Sequence, residues 1–160
     1  MIVVAIDPGR DAGLAVLVDG RLVAARLLDG RAPAAGLDDL GLLAGEVEVL
    51  VELPTYYPHG RSFAPANDLI RLAYRAGRLA QAVLAALGPR PVKVVEIAPA
   101  TWKAQVPAEV LAERILGRLE PDERALALEA AGRQQSKTHN VLDAVGMGLH
   151  RVGRMGRGGT

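Results

Sequence analysis

The sequence predicts a mixed α/β domain built on one five-stranded sheet, and three observations carry that prediction. Apolar runs of strand length recur at 1–7, 47–52 and 92–97, as expected of strands covered on both faces. A hairpin follows the first of them. A long helical pattern separates the second from the third, and further helical patterns follow. With 160 residues, half of them apolar, one domain with a sizeable core is expected.

The elements follow in order. Residues 1–7 form the first strand. Residues 13–19 and 21–28 read as two strands joined at Asp19-Gly20, a pair that suits a tight hairpin turn. Three antiparallel strands therefore open the domain. Residues 35–44 read as a short helix and 47–52 as a fourth, central strand. From 66 to 87, Leu69, Leu72, Ala73, Ala76, Ala80, Val83, Leu84 and Leu87 recur on one helical face, and Gly88-Pro89 ends the helix. Residues 92–97 are the fifth strand. Pro107 and Pro121 sit where first-turn prolines belong, opening helices near 107–119 and 121–131, and Gly132 closes the second. A last helix starts near Ser136 or Thr138 and runs to about Arg151. Residues 1–152 are read as the domain. Residues 153–160, rich in Gly and Arg, are read as a flexible basic tail.

Bulk properties narrow the function classes. The formal net charge is only +1, which excludes a broadly basic DNA coat. There is no cysteine, so disulfides and thiolate metal sites are excluded. No apolar run approaches the roughly 20 residues that span a membrane. The N-terminus lacks the layout of a signal peptide. A cytoplasmic protein is expected. Sixteen of the nineteen basic residues are Arg, whose planar fork of donors suits phosphate.

Three acidic residues stand where a metal-dependent nuclease needs them. Asp7 ends the first strand and opens the turn Asp7-Pro8-Gly9. Glu52 ends the fourth strand. Asp143 lies in the last helix, within His139-Asn140-Val141-Leu142-Asp143-Ala144. A carboxylate at the end of a buried strand is costly unless a cation or hydrogen bonds balance it. Two divalent ions about 4 Å apart can activate water and neutralise a scissile phosphate. Hard oxygen ligands suit Mg²⁺ or Mn²⁺. Asp7, on the central strand, is placed to bridge both ions, although Asp-Pro-Gly also serves as a plain turn cap. Gly9 and Gly13 leave the backbone room for a close turn. Glu48 shares a strand face with Glu52 but lies further from the strand's C-terminal end, where ligands gather in α/β sheets.

The DPG turn, the apolar strand ending in Glu and the late HNxxDA helix together resemble the RuvC-like branch of the RNase H-like nucleases. The resemblance spans nearly the whole chain. It implies the RNase H-like fold, with the first three strands antiparallel, and two Mg²⁺ or Mn²⁺ ions per active site. It also implies a homodimer that cuts four-way (Holliday) junctions symmetrically, in DNA recombination and repair. That family places an Asp or His three residues before its final Asp. Here that place holds Asn140, with His139 one residue earlier. His139, four residues before Asp143 and so on its helix face, is taken as the fourth ligand or a proton carrier. Asn140 could ligate only through its carbonyl oxygen.

Residues for nucleic acid are also in view. The loop after Glu52 carries Tyr56, Tyr57 and Phe63, three of five aromatics in the chain, with His59 and Arg61. Such rings stack on unpaired bases when they do not pack the loop itself. In the resembled family an aromatic at a similar place wedges into the junction. Arg71, Arg75 and Arg78 form a stripe on the long helix, suited to a phosphate backbone or to plain solvation. Lys103, after the fifth strand, and Lys137, one turn before the final motif, are further phosphate candidates. Trp102 is read as packing. The alternatives are a RuvC-like RNA-processing nuclease, a non-catalytic nucleic-acid-binding module, and a fragment of the sugar-kinase and actin-like group.

Overall fold

The structure, a computed structural model, describes residues 1–55, 65–103, 106–132 and 135–156, with the backbone alone at 135–138. The strands are β1 (Ile2–Asp7), β2 (Asp11–Val18), β3 (Arg21–Asp29), β4 (Val47–Glu52) and β5 (Val92–Ile97). The α-helices are α1 (Ala66–Leu87), α2 (Pro99–Trp102), α3 (Ala108–Leu116), α4 (Pro121–Ala131) and α5 (Gln135–Arg151). The sheet order is β3-β2-β1-β4-β5. β1, β2 and β3 pair antiparallel, while β4 pairs parallel with both β1 and β5. This is the mixed five-stranded sheet that the sequence predicts.

The hairpin turn explains itself. Asp19 and Gly20 both have positive φ, 48° and 83°, which matches the twist of the flanking strands. The Met1 amine donates to Asp19 Oδ1 at 2.6 Å and fastens the turn to the start of β1.

Two cores lie on the two faces of the sheet. Ile2, Val4 and Ile6 of β1, with Val47, Val49 and Val51 of β4, pack under Ala76, Leu79, Val83 and Leu87 of α1. Val3 and Ala5, with Leu50, pack under Val141, Leu142, Ala144, Val145, Met147 and Leu149 of α5, joined by Leu111 and Ile115 of α3. The alternation follows from the two-residue period of a strand. It also decides which face receives the acids.

Three readings of the sequence need correction. The helix expected at 35–44 is one short 3₁₀ turn at Asp38–Leu42. Gly36, with φ of 81°, and Gly45, at 123°, bend the chain on either side of it. Gly13 does not serve the turn. It lies in β2 opposite Asp7, and a Cβ there would stand 1.9 Å from the Asn140 carbonyl oxygen. Its role is to let α5 lie against the sheet. Gly146 of α5 makes room instead for α2 and α3, since a Cβ there would meet Trp102 at 2.6 Å and Ile115 at 2.7 Å.

The third concerns Arg154, inside the segment read as a tail. Its guanidinium donates to both oxygens of Glu123 at 2.7 Å and to the carbonyls of Gly20 and Arg118. Glu123 is fully buried. It also accepts from the Leu22 and Glu120 amides at 2.8 Å, the latter as part of the capping box of α4. Met155 packs at the margin of the α5-side core. Residues 157–160 lie outside the described residues. Among the described residues, no helix is long and apolar enough to cross a membrane.

Candidate active site

β1 and β4 run parallel with Ile6 opposite Val51, so Asp7 and Glu52 end neighbouring strands one step further on. Ile6 and Val51 point into the α1-side core. By strand alternation, Asp7 and Glu52 point to the α5 side. Both are buried, each 9% exposed. Asp143, on α5, meets them from above. Its neighbours Leu142 and Ala144 are in the core, which fixes the helix and leaves the Asp143 carboxylate at the rim. Two strand ends and one helix thus bring the three acids together.

A fourth element completes the cluster. Where β5 ends, the Leu53 amide bonds to the Ile97 carbonyl at 3.0 Å. The chain then turns through α2 and carries Trp102 and Lys103 over Glu52. The Lys103 ammonium lies 2.9 Å from Asp143 Oδ2, 3.2 Å from Glu52 Oε2 and 3.3 Å from Glu52 Oε1. The Trp102 indole N–H donates to Glu52 Oε2 at 2.8 Å. The ammonium also stands 5.0 Å from the centre of the Trp102 ring, within range of a cation–π attraction.

The electrostatics follow from this crowding. Burial pushes the Asp7 carboxyl well above its usual range. The Glu52 and then the Asp143 charge push it the same way, against Lys103. Burial pulls Lys103 down, but Asp143, Glu52 and Asp7 outweigh that and hold its pKa above the usual value. With all three acids ionised, the cluster carries −3 from carboxylates and +1 from Lys103, a net −2. One divalent cation would balance it. The ligands are hard oxygens, of the kind Mg²⁺ and Mn²⁺ take. The donor set therefore fits such an ion in chemistry and charge. As arranged, Lys103 lies between Glu52 and Asp143, and no group of three or more His, Asp or Glu among the described residues is drawn tightly enough to enclose an ion. Asp7, Glu52 and Asp143 are the residues that could hold one once Lys103 withdraws.

The other predicted residues fall in several places. His139 is exposed in the first turns of α5. The Asn140 side-chain amide donates to the Asp11 carbonyl and ties α5 to the start of β2. Arg71 is exposed and lies 3.6 Å from Asp68, one turn earlier. Arg75 is half-buried, and Arg78 stands 5.9 Å over the Tyr74 ring. Tyr56, Tyr57, Arg61 and Phe63 lie outside the described residues, as does the side chain of Lys137. Glu48 is not part of the site. It is held at the other end of β4 by Arg151 and Lys93, each at 2.8 Å.

Sequence reasoning missed Trp102. The signal was present: an indole N–H in a buried ring needs an acceptor, and the residue follows the strand that pairs with Glu52.

The chain is similar to T. thermophilus RuvC solved in complex with Holliday junction substrate, at 26% identity and a TM-score of 0.51, over 98% of this chain and 97% of that one. No protein-family model matches the chain, and no curated protein matches it. Taken with the order and direction of its strands and the helices that flank them, the likeness shows that this chain has a RuvC-like form of the RNase H-like fold.

Proposed function

We propose that this protein is a metal-dependent endonuclease of branched DNA, with four-way (Holliday) junctions as its substrate class, acting as a homodimer. One observation carries the reading: Asp7, Glu52 and Asp143 converge from three elements on one face of the sheet, at the ends of parallel strands. The likeness to a RuvC solved with junction DNA supports the choice of substrate.

Bound divalent ions would activate a water and neutralise charge on the scissile phosphate. The residues of the chain do the rest. Asp7, Glu52 and Asp143 supply the oxygen ligands. Lys103, now paired with Glu52 and Asp143, would give up those carboxylates to a bound cation, and its ammonium could then meet a phosphate oxygen. His139, exposed in the first turns of α5, would complete the ligand set or move a proton. Tyr56, Tyr57, Arg61 and Phe63, with Arg71, Arg75, Arg78 and Lys137, are assigned to the DNA backbone and to unpaired bases.

The test is cleavage by the wild-type protein of three labelled substrates with Mg²⁺ or Mn²⁺: a four-way junction, a plain duplex and a structured RNA. The junction should be cut fastest. Faster cutting of the RNA would favour an RNA-processing nuclease, and cutting of the duplex at an equal rate would remove the structure selectivity.

His139→Ala should slow cleavage more than Asn140→Ala. The Asn140 amide is committed to the Asp11 carbonyl, so its loss should appear in stability, by about 1 kcal/mol. Single-turnover rates and melting curves of both variants separate the two roles. Normal cutting by His139→Ala would remove it from the site.

The dimer is assigned to α1. Its second half is buried at Ala76, Leu79, Val83 and Leu87, but Ile70 and Tyr74 in its first half are each 67% exposed. Symmetric cutting of a junction calls for two sites related by a two-fold axis. Light scattering should give the mass of two chains, and Ile70→Asp should halve it. A wild-type mass of one chain, alone and on a junction, would refute the dimer.

A further inference from the structure

We infer that Trp102 is a positioning residue for the metal site, holding the Glu52 carboxylate in the orientation that receives a divalent ion; this rests on the metal-dependent reading above. Glu52 has two oxygens. The indole N–H takes Oε2 at 2.8 Å. The Lys103 ammonium spans both, at 3.2 and 3.3 Å. Lysine is a mobile cation on a flexible stem, and it can leave when a divalent ion arrives. The indole cannot. It is 6% exposed, and its ring packs against Gly146 of α5, where even a Cβ would overlap it. With Oε2 pinned, Oε1 is the oxygen left to face the ion. The rigid ring therefore sets the rotation of the carboxylate about its own axis. Neither the β4 backbone nor Lys103 does so.

The same geometry supplies a reporter. Trp102 is the only tryptophan in the chain. One edge of its ring touches Glu52, and the Lys103 cation lies 5.0 Å from its centre. An ion that draws on Glu52 and displaces Lys103 changes both neighbours at once.

The test uses the full chain, without DNA. Metal affinity is measured by calorimetry with Mn²⁺ for the wild type, for Trp102→Phe, which keeps a ring but lacks the donor, and for Ile115→Val. Ile115 is fully buried beside the same Gly146 and makes no polar contact with the site. Groups that orient ligands from behind typically cost 10–100-fold in metal affinity when lost. Trp102→Phe should therefore lose about 10-fold or more, while Ile115→Val, a pure packing change, keeps the wild-type affinity. In the wild type, tryptophan fluorescence should change saturably with Mg²⁺, which does not itself quench, and NaCl at equal ionic strength should not reproduce the change. Equal Mn²⁺ affinity in wild type and Trp102→Phe overturns the assignment to Trp102. If that variant fails to fold, a flat Mg²⁺ fluorescence titration in a wild type that binds Mn²⁺ overturns it instead. A wild type that binds no Mn²⁺ at all overturns the metal-dependent reading on which the inference rests.

Discussion

Asp7→Asn should abolish cleavage of a four-way junction and, in the absence of divalent metal, raise the melting temperature. The first effect follows from removing a proposed oxygen ligand on the central strand. Even groups that only support a ligand cost 10–100-fold, so the loss should exceed about 100-fold. The second effect comes from the crowded charges. Burial, then Glu52 and Asp143, push the Asp7 carboxyl well above its ordinary 3.8. A group whose folded pKa is raised adds stability that is fully present below the unfolded pKa and is lost as pH rises through the folded one. The metal-free wild type should therefore lose stability as pH rises from about 4 through the raised folded pKa of Asp7. Asparagine has no such titration. Adding Mg²⁺ should stabilise the wild type, because an ion that binds only the folded state shifts the equilibrium, and should leave Asp7→Asn unmoved. Melting curves at pH 4 to 8, with and without Mg²⁺, check all of this. Glu52→Gln and Asp143→Asn should lose cleavage to a similar degree. Full activity in any of the three removes that residue from the ligand set.

Arg154→Ala should be the most destabilising change outside the site. It removes the cation from a carboxylate that is fully buried, leaving Glu123 with only two amide donors. Breaking a buried pair from one side typically costs about 3–5 kcal/mol, which for a domain of this size is a drop of roughly 10 °C. Glu123 is held down to about 2 by Arg154 first, then by the Glu120 and Leu22 amides, against its burial. A depressed pKa contributes stability that is present above the unfolded value and is lost as pH falls through the folded one. The acid limb of the stability curve between about pH 4.5 and 2 should therefore flatten in the variant. A melting temperature within 2 °C of wild type would mean that the clamp is dispensable.

The sequence made the site more legible than the scaffold around it. Asp7, Glu52 and Asp143 stand out because each interrupts an apolar period where a buried acid needs a reason. That signal survives without any knowledge of tertiary contacts. The strand boundaries were legible for a similar reason, since Asp19-Gly20 and the apolar runs at 47–52 and 92–97 are local. What was hidden depends on residues far apart in the chain. Trp102 meets Glu52 across 50 positions. Arg154 meets Glu123 across 31, and Gly13 makes room for a carbonyl in α5. A four-residue helix such as Pro99–Trp102 is too short to show a period. The glycines at 36 and 45 mark bends that only the backbone angles reveal. Trp102 looked like packing because it does pack, and only its ring nitrogen has a second role.

Nicks in a labelled four-way junction, mapped as Mg²⁺ is raised from zero, test the proposed nuclease most directly. No cutting is expected without a divalent ion, then paired nicks at two symmetry-related positions near the crossover, appearing together as the metal sites fill. A junction that is bound but uncut at every Mg²⁺ and Mn²⁺ concentration would contradict it, and would mark this chain as a nucleic-acid-binding module with the RuvC-like fold and no nuclease chemistry.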